Sequence, residues 1–463
     1  METTSMSINK LSRREFVRLS VASGAMLGLG NHSEGATLWI PQAGESVMPP
    51  FDVEAARLTT ACMGYWDKTS AMFRAPVLSA ETVPSDALHD RGYTLWPSPV
   101  ALHALVEGEK AHSGQYTSQI AMVYDGLEQY YSDDLHAYSS WVHFPGNIDA
   151  YYDDNSWAVI VLVESSLACK QTFPTRSAQY LNRAQSVMAD YVVNGYDVSE
   201  KPGGTRWGTD TTKPNTSDRG TSSTAGSALA ALMLARAGVK VEFYTRWGHD
   251  LLSWLMRHLL DTDSLVIDAL SEPDWKARRI KWTYNTGVPM RAYVEHYRLT
   301  KDPNSLSMAT HLARSALNVR GGLFDSKVHD AGKRFYWDGT YFVHYLIDGL
   351  LQVALASSDT KLVSDIVDIM TRTARYTYTF LRDPTDGFYW RNMRLYTIGA
   401  SQHETWQKWT GQTIAPDYDA SERSQEAKFQ ALPVKERPLV KTLLANAGTA
   451  RLFWLTSQLT STY

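Results

Sequence analysis

Trp157-Ala-Val-Ile-Val-Leu-Val163, read on to Leu167, offers almost no polar face to a helix. A helix apolar on every side is buried on every side. Two further runs share this character: Ala225-Gly-Ser-Ala-Leu-Ala-Ala-Leu-Met-Leu234, and Tyr341-Phe-Val-His-Tyr-Leu346 with its continuation to Leu355. The segments between them are amphipathic. In 174–194, Leu181, Ala184, Met188, Tyr191 and Val192 form one stripe, while Arg183 and Gln185 face away. Segment 302–317 repeats the pattern with Leu306, Ala309, Leu312 and Ala316. Buried and amphipathic helices in alternation predict an inner ring wrapped by an outer ring. Six such pairs make an all-α (α/α)6 barrel. An open α-solenoid would also stack helix pairs. No fixed sequence repeat is visible, which favours the closed barrel.

Working outward, the pattern predicts helices near 54–73, 114–132, 154–170, 174–194, 222–237, 242–260, 285–299, 302–317, 339–357, 360–380 and 438–457, with one more among 415–432. Period-2 alternation of strands is nearly absent. Two stretches read as irregular: 195–221, rich in Gly, Thr, Asn and Asp, and 383–415, which carries Phe388-Tyr389-Trp390, Trp406 and Trp409. Loops of this length are usually functional or disordered, and both are candidate cleft walls.

One catalytic domain over 45–463 accounts for the chain. Residues 1–36 read as a targeting segment. Ser12-Arg13-Arg14-Glu15-Phe16-Val17 resembles a twin-arginine signal, and a short weakly apolar stretch follows from Leu19 to Leu29. That stretch is too short for a permanent span, so export to the periplasm or beyond is expected, with no stable membrane span. The formal net charge is −4 with 20% charged residues, so nothing favours nucleic acid as a partner, and a monomer is expected. The 15 Trp and 25 Tyr suit both an aromatic core and a sugar-binding cleft. Two cysteines, Cys62 and Cys169, have no metal-ligand spacing. Export would permit them to pair, and an apolar setting for Cys169 would equally suit a buried thiol.

The chemistry is concentrated just before the opening run, in Tyr151-Tyr152-Asp153-Asp154-Asn155-Ser156. A retaining glycosidase needs two carboxyl groups roughly 5–5.5 Å apart, one as nucleophile and one as acid/base. Neighbouring Cα atoms are about 3.8 Å apart, so converging side chains could reach that separation. Aromatic neighbours offer faces to a sugar ring. The same cluster is also a good N-cap for the helix that follows. Polar residues recur at the starts of other predicted inner helices: Ser222-Ser223, Tyr284-Asn285 after Trp282, and Asp338-Gly339 after Trp337. In a double ring these starts would gather at one mouth. Helix N-termini there favour an anion, and like charge would raise the second carboxyl.

The segment 151–157 resembles the Y-x-D-D-N-A-W signature of glycoside hydrolase family 76. Gly203-Gly204-Thr205-Arg206-Trp207 is similar to that family's G-G-I-W-W loop, and Trp282-Thr283-Tyr284-Asn285-Thr286-Gly287-Val288 to its W-T-Y-N-Q-G-V helix start. Leu443 to Trp454 resembles its closing helix, and the likeness spans roughly 110–457. The resemblance implies an (α/α)6-barrel endo-α-1,6-mannanase acting on α-mannan with retention. It implies Asp153 as nucleophile, Asp154 as acid/base, and no metal or organic cofactor. Tyr152, Asn155, Trp207, Tyr284 and Asn285 would line the subsite beside the scissile bond, with Trp337 and Asp338 as further substrate contacts.

The chain also departs from the family pattern. Arg206 replaces a Trp, Arg219-Gly220-Thr221-Ser222-Ser223 stands where the family has K-N, and Asp338-Gly339 where it has K-G. These changes put the exact glycan, and endo or exo action, in question. Other barrel enzymes remain as alternatives. A glucuronyl hydrolase would need basic residues for a uronate. An epimerase would need paired histidines, whereas His143, His296 and His344 each stand alone. An α-mannan transglycosylase and a non-catalytic glycan-binding protein on the same barrel complete the set.

Overall fold

The computed structural model describes residues 48–74, 94–140, 148–197, 202–399, 402–424 and 427–460. The twin-arginine-like segment and His143 lie outside them. Thirteen α-helices occur among these residues. They are α1 (Phe51–Cys62), α2 (Pro97–Ala111), α3 (Thr117–Leu127), α4 (Tyr152–Cys169), α5 (Pro174–Asp190), α6 (Thr221–Arg236), α7 (Val241–Leu259), α8 (Thr283–Thr300), α9 (Pro303–Ala316), α10 (Thr340–Ala356), α11 (Thr360–Tyr376), α12 (Gln402–Thr410) and α13 (Leu443–Thr460).

Helices α2, α4, α6, α8, α10 and α13 each pack against the next, and α13 packs against α2, which closes the ring. The outer helices α3, α5, α7, α9 and α11 each follow and cover their inner partner. The sixth outer position is taken by α1, which packs on α13, so the first helix and the last complete the (α/α)6 barrel together. The indole N–H of Trp454 donates to the Thr59 hydroxyl at 2.9 Å across that junction. Ring closure excludes the open solenoid. The all-apolar runs in α4 and α6 are inner helices buried along nearly their whole length, as their composition requires.

Close packing within the inner ring depends on small residues. A Cβ on Gly287 of α8 would lie 2.4 Å from the Leu346 Cα, and one on Gly349 of α10 would lie 2.4 Å from the Gly287 carbonyl oxygen. The α8 and α10 backbones therefore touch, and only glycine fits at the crossing.

Below that crossing the lumen is filled by charge. Glu164 of α4 bonds His103 Nδ1 at 2.8 Å and pairs with Arg291 of α8. Arg291 also pairs with Asp348 of α10, which takes Arg451 of α13 at 2.7 Å. Arg451 reaches His344 Nδ1 at 3.0 Å. These residues are 0–5% exposed, so the barrel is plugged rather than open along its axis. His296, read as a lone histidine, is bonded to the Ser305 hydroxyl at 2.7 Å, and His344 belongs to the plug.

Several boundaries differ from the sequence-based expectation. The helix predicted over 54–73 ends at Cys62, passes through a 3-10 turn, and gives way to a hairpin of β1 (Trp66–Asp67) and β2 (Met72–Phe73). The segment 114–132 does the same after Leu127, with β3 (Tyr131–Ser132) and β4 (Ala137–Tyr138). In both, apolar hairpin residues extend the helical spacing and so disguise the turn. Helix α2 is absent from the expected set, and Pro97 and Pro99 open it. They stand in its first turn, where backbone N–H groups have no intrahelical acceptor and proline is tolerated. No α-helix occurs in the described part of 415–432, only the 3-10 turns Ala420–Glu422 and Ala427–Phe429. Instead α12 forms within the stretch read as irregular. Strands β5 (Arg219–Gly220), β6 (Ala269–Ser271) and β7 (Lys276–Arg278) make a small sheet beside the α6 start. Cys62 and Cys169 are both buried free thiols. Among the described residues no helix is long and apolar enough to cross a membrane.

Candidate active site

The N-terminal ends of the inner helices meet at one mouth, joined by contacts between successive starts. The Asp153 carboxylate of α4 is bonded by the Ser222 hydroxyl of α6. The Thr221 N–H of α6 donates to the Asp268 carbonyl at 2.8 Å, and the Tyr284 hydroxyl of α8 donates to the Asp268 carboxylate at 3.3 Å. Asp338, just ahead of α10, accepts from the Thr283 N–H at 2.7 Å. The Thr340 hydroxyl donates to the Ala445 carbonyl of α13 at 3.1 Å. Trp96, ahead of α2, lies 5.7 Å from the Phe342 ring of α10.

Asp153 and Asp154 stand in the first turn of α4. The N-cap is Tyr151, and no side chain caps the helix. The pair is therefore not spent on capping, the other role open to an Asp-Asp-Asn-Ser cluster. Asp153 Oδ2 accepts from the Trp207 indole at 2.9 Å, and Oδ1 from the Asp154 N–H at 2.9 Å. Burial pushes the Asp153 carboxyl up to about 6, against the pull of these bonds and of Ser222. Desolvation thus outweighs the helix field expected to favour the anion. Asp154 is raised well above the usual carboxylate range, first by burial, then by the charges of Asp153 and Asp149, with the Ser140 hydroxyl opposing weakly. Two adjacent carboxyl groups thus have unlike environments, one rich in donors and one poor. The first is thus the better placed to hold charge and the second to hold a proton.

The remaining sequence-predicted residues divide. Trp207 touches Asp153 directly and packs on Tyr151 with ring centroids 4.8 Å apart. Tyr284 lies near enough for the Asp153 charge to raise its phenol. Asn285 is fully buried, and its amide has no partner. Pro289 also lacks the N–H that would bond the Asn285 carbonyl. Trp337 is half-buried at the rim, 4.8 Å from Trp282.

Three others make bonds within the scaffold. Tyr152 stacks on Tyr191 at 4.6 Å, while its N–H fixes the Trp207 carbonyl at 2.9 Å. Asn155 is fully buried; its oxygen accepts from the Tyr138 N–H at 2.8 Å, and its nitrogen donates to the Tyr138 and Tyr151 carbonyls. Asn446 of α13 repeats this latch on Tyr389 and Thr442, at a helix start without paired aspartates. The device is therefore a hairpin clamp and not a feature of the chemistry. Asp338 gives both oxygens to Thr283 and so caps α8 from the neighbouring helix; burial pushes it up to about 7.

Sequence reading alone did not find Asp268, held by Arg278 at 2.5 Å while it takes the Tyr284 phenol. Nor did it join Trp96, Tyr341 and Phe342 to Trp282 and Trp337 in one rim arc. A usable signal existed. Each of these rings lies within three residues of an inner helix start.

The model of the family described as Glycosyl hydrolase family 76 matches residues 51–442. A meiotically up-regulated gene 191 protein of Schizosaccharomyces pombe is 27% identical over 419 residues, covering 88% of this chain and 92% of its own. Among solved structures, a family 76 mannosidase from Bacteroides thetaiotaomicron superposes with a TM-score of 0.66 at 16% identity, over 89% of this chain and 99% of that one. An α-1,6-mannanase of Salegentibacter sp., solved as an inactive variant with two consecutive aspartates replaced and in complex with α-1,6-mannotriose, gives 0.63 at 16% identity, over 88% and 99%. At such identities the structures establish the shared fold, and the family match extends over most of the chain. The chain belongs to glycosyl hydrolase family 76.

Proposed function

We propose that this glycoside hydrolase cleaves α-1,6-linked mannose within a chain, with retention of configuration. Asp153 is the nucleophile and Asp154 the acid/base. Asp153 attacks the anomeric carbon, forming a carbon–oxygen bond as the glycosidic bond breaks. Asp154 gives its proton to the departing oxygen. A water then replaces the leaving group, yields a proton to Asp154 and displaces Asp153. The observation that carries this reading is the unlike setting of the two adjacent carboxyl groups. Trp207 and Ser222 hold the Asp153 anion by its donor bonds. Like charge and burial keep the Asp154 proton in place.

The substrate class is supported by three features. The solved mannanase with a similar fold is described with α-1,6-mannotriose. The rim is aromatic and suits the apolar faces of neutral sugars. It extends from Trp96 past Trp282 to Trp337, farther than one ring, which favours binding within a chain over binding at an end. The test is product profiling on linear α-1,6-mannan, with branched mannan and α-glucan as controls. Short oligomannosides should appear from the linear mannan alone. Activity confined to α-glucan would sink the substrate assignment. Longer products on adding an oligomannoside acceptor would move the reading to glycosyl transfer.

A further inference from the structure

Asp268 takes no part in the double displacement, yet its carbonyl and its carboxylate hold the two helix starts that flank Asp153. The carbonyl accepts from the Thr221 N–H at 2.8 Å, and the Thr221 hydroxyl donates to the preceding Ile267 carbonyl at 2.6 Å. These bonds fix the start of α6, where the next residue, Ser222, bonds the Asp153 carboxylate. The Asp268 carboxylate accepts from the Tyr284 phenol of α8 at 3.3 Å. The hairpin of β6 and β7 secures Asp268 in turn. Its N–H donates to the Arg278 carbonyl at 3.2 Å, and the Arg278 guanidinium donates to its carboxylate at 2.5 Å and to Asp218 at 3.1 Å.

A phenol has one proton to give. The Tyr284 proton goes to Asp268, although Asp153 lies near enough for its charge to raise the phenol. Asp153 takes its donors from the Trp207 indole, the Ser222 hydroxyl and the Asp154 N–H instead. The difference matters to a nucleophile. Each further donor stabilises a carboxylate anion and lowers its pKa. It stabilises the anion more in the ground state than in the transition state, where the charge is being lost, and so slows attack.

We propose that Asp268 is a positioning residue for the nucleophile: by taking the Tyr284 proton it keeps that phenol from donating to Asp153, and so preserves the basicity with which Asp153 attacks. Arg278 holds Asp268 in place as the acceptor. This inference rests on the reading of Asp153 as nucleophile. The other ionisable groups around the aspartate pair are Tyr151, Tyr191 beyond α5, Tyr345 of α10, and Asp149, which pairs with Lys213 at 2.7 Å. Arg206, next to Trp207 in the chain, pairs with Asp197 at 2.6 Å. All of these are common to the variants compared below.

The test is the pH profile of kcat/KM on a linear α-1,6-mannooligosaccharide, read as a double-mutant cycle of Asp268→Ala and Tyr284→Phe. Asp268→Ala keeps the main-chain bonds to Thr221 and Arg278 and releases the phenol to Asp153. Its acid limb should move down by about one pH unit. Loss of the Asp268 charge acts with or without the phenol, so the cycle reads the difference. In the presence of Tyr284→Phe, the shift caused by Asp268→Ala should largely vanish. Asp268→Asn keeps an oxygen for the phenol and should move the limb by less. Melting temperatures report folding, and Asp268→Asn serves for the cycle if Asp268→Ala melts below the assay temperature. An equal shift with and without Tyr284→Phe, or none in either, would overturn this inference and leave Asp153 as nucleophile. A wild type inactive on this substrate would remove both.

Discussion

Asp154→Asn should lower turnover of α-1,6-linked mannan by about 10³-fold, within the usual range for a lost general acid. A mannoside whose leaving group needs no proton, such as a dinitrophenyl α-mannoside, should lose much less in the first step. Asp153→Asn should abolish activity on both, because no substrate spares the nucleophile. For the wild type, kcat/KM should fall on the acid side near pH 6, where Asp153 takes up a proton, and on the alkaline side as Asp154 loses one. The stability sign runs opposite to the activity. The folded carboxyl of Asp154 is raised above its unfolded value, so its favourable contribution is complete in acid and is lost as pH rises through the folded value. Asparagine carries no such cost. Asp154→Asn should therefore melt higher than wild type at alkaline pH and equally at pH 4. Near wild-type turnover in either variant would end the assignment of roles.

Arg291→Met should lower stability by about 3–5 kcal/mol, the usual cost of breaking a buried ion pair by removing one partner. For a domain of this size that is a melting-point drop of about 4–6 °C. Arg291 is buried between Glu164 and Asp348, and among the described residues it alone forms an ion pair with both. Burial works against the charge on Glu164, but Arg291, Lys110 and His103 outweigh it and hold its carboxyl well below the usual range. For Asp348, Arg291 and Arg451 outweigh burial in the same way. Groups with depressed values stabilise the fold above their unfolded pKa, and that stability is lost as pH falls through the folded one. The loss in Arg291→Met should thus be large at pH 7 and smaller in acid. A melting point within about 1 °C of wild type at pH 7 would show that the plug contributes little.

The sequence made the inner ring readable because full burial leaves a plain mark: α4 and α6 have no polar stripe to misplace. It hid α2 because two prolines look alike whether they stop a helix or begin one, and their role depends on the turn they occupy. The hairpins after α1 and α3 were hidden for a related reason. Met72 and Phe73 are core residues, Trp66 packs against the core, and their spacing does not announce the turn between them. At the mouth, the aspartate pair could be found from residue type, and Trp207 from its likeness to a family loop. The duties of Asn155 and Asp338 could not, since a buried amide clamped to a hairpin and a carboxylate capping another helix look like sugar ligands until their partners are seen. Asp268 and the rim arc depend on contacts between segments far apart in the chain. No local pattern encodes those contacts.

The central claim is double displacement at Asp153, assisted by Asp154, on an α-mannosidic bond. It is tested most directly by proton NMR of the anomeric signal in the earliest product released from an α-1,6-mannooligosaccharide, before mutarotation. Two inversions in series predict that the α-anomer appears first and the β-anomer grows in slowly. A β-anomer in the first spectra would contradict the account.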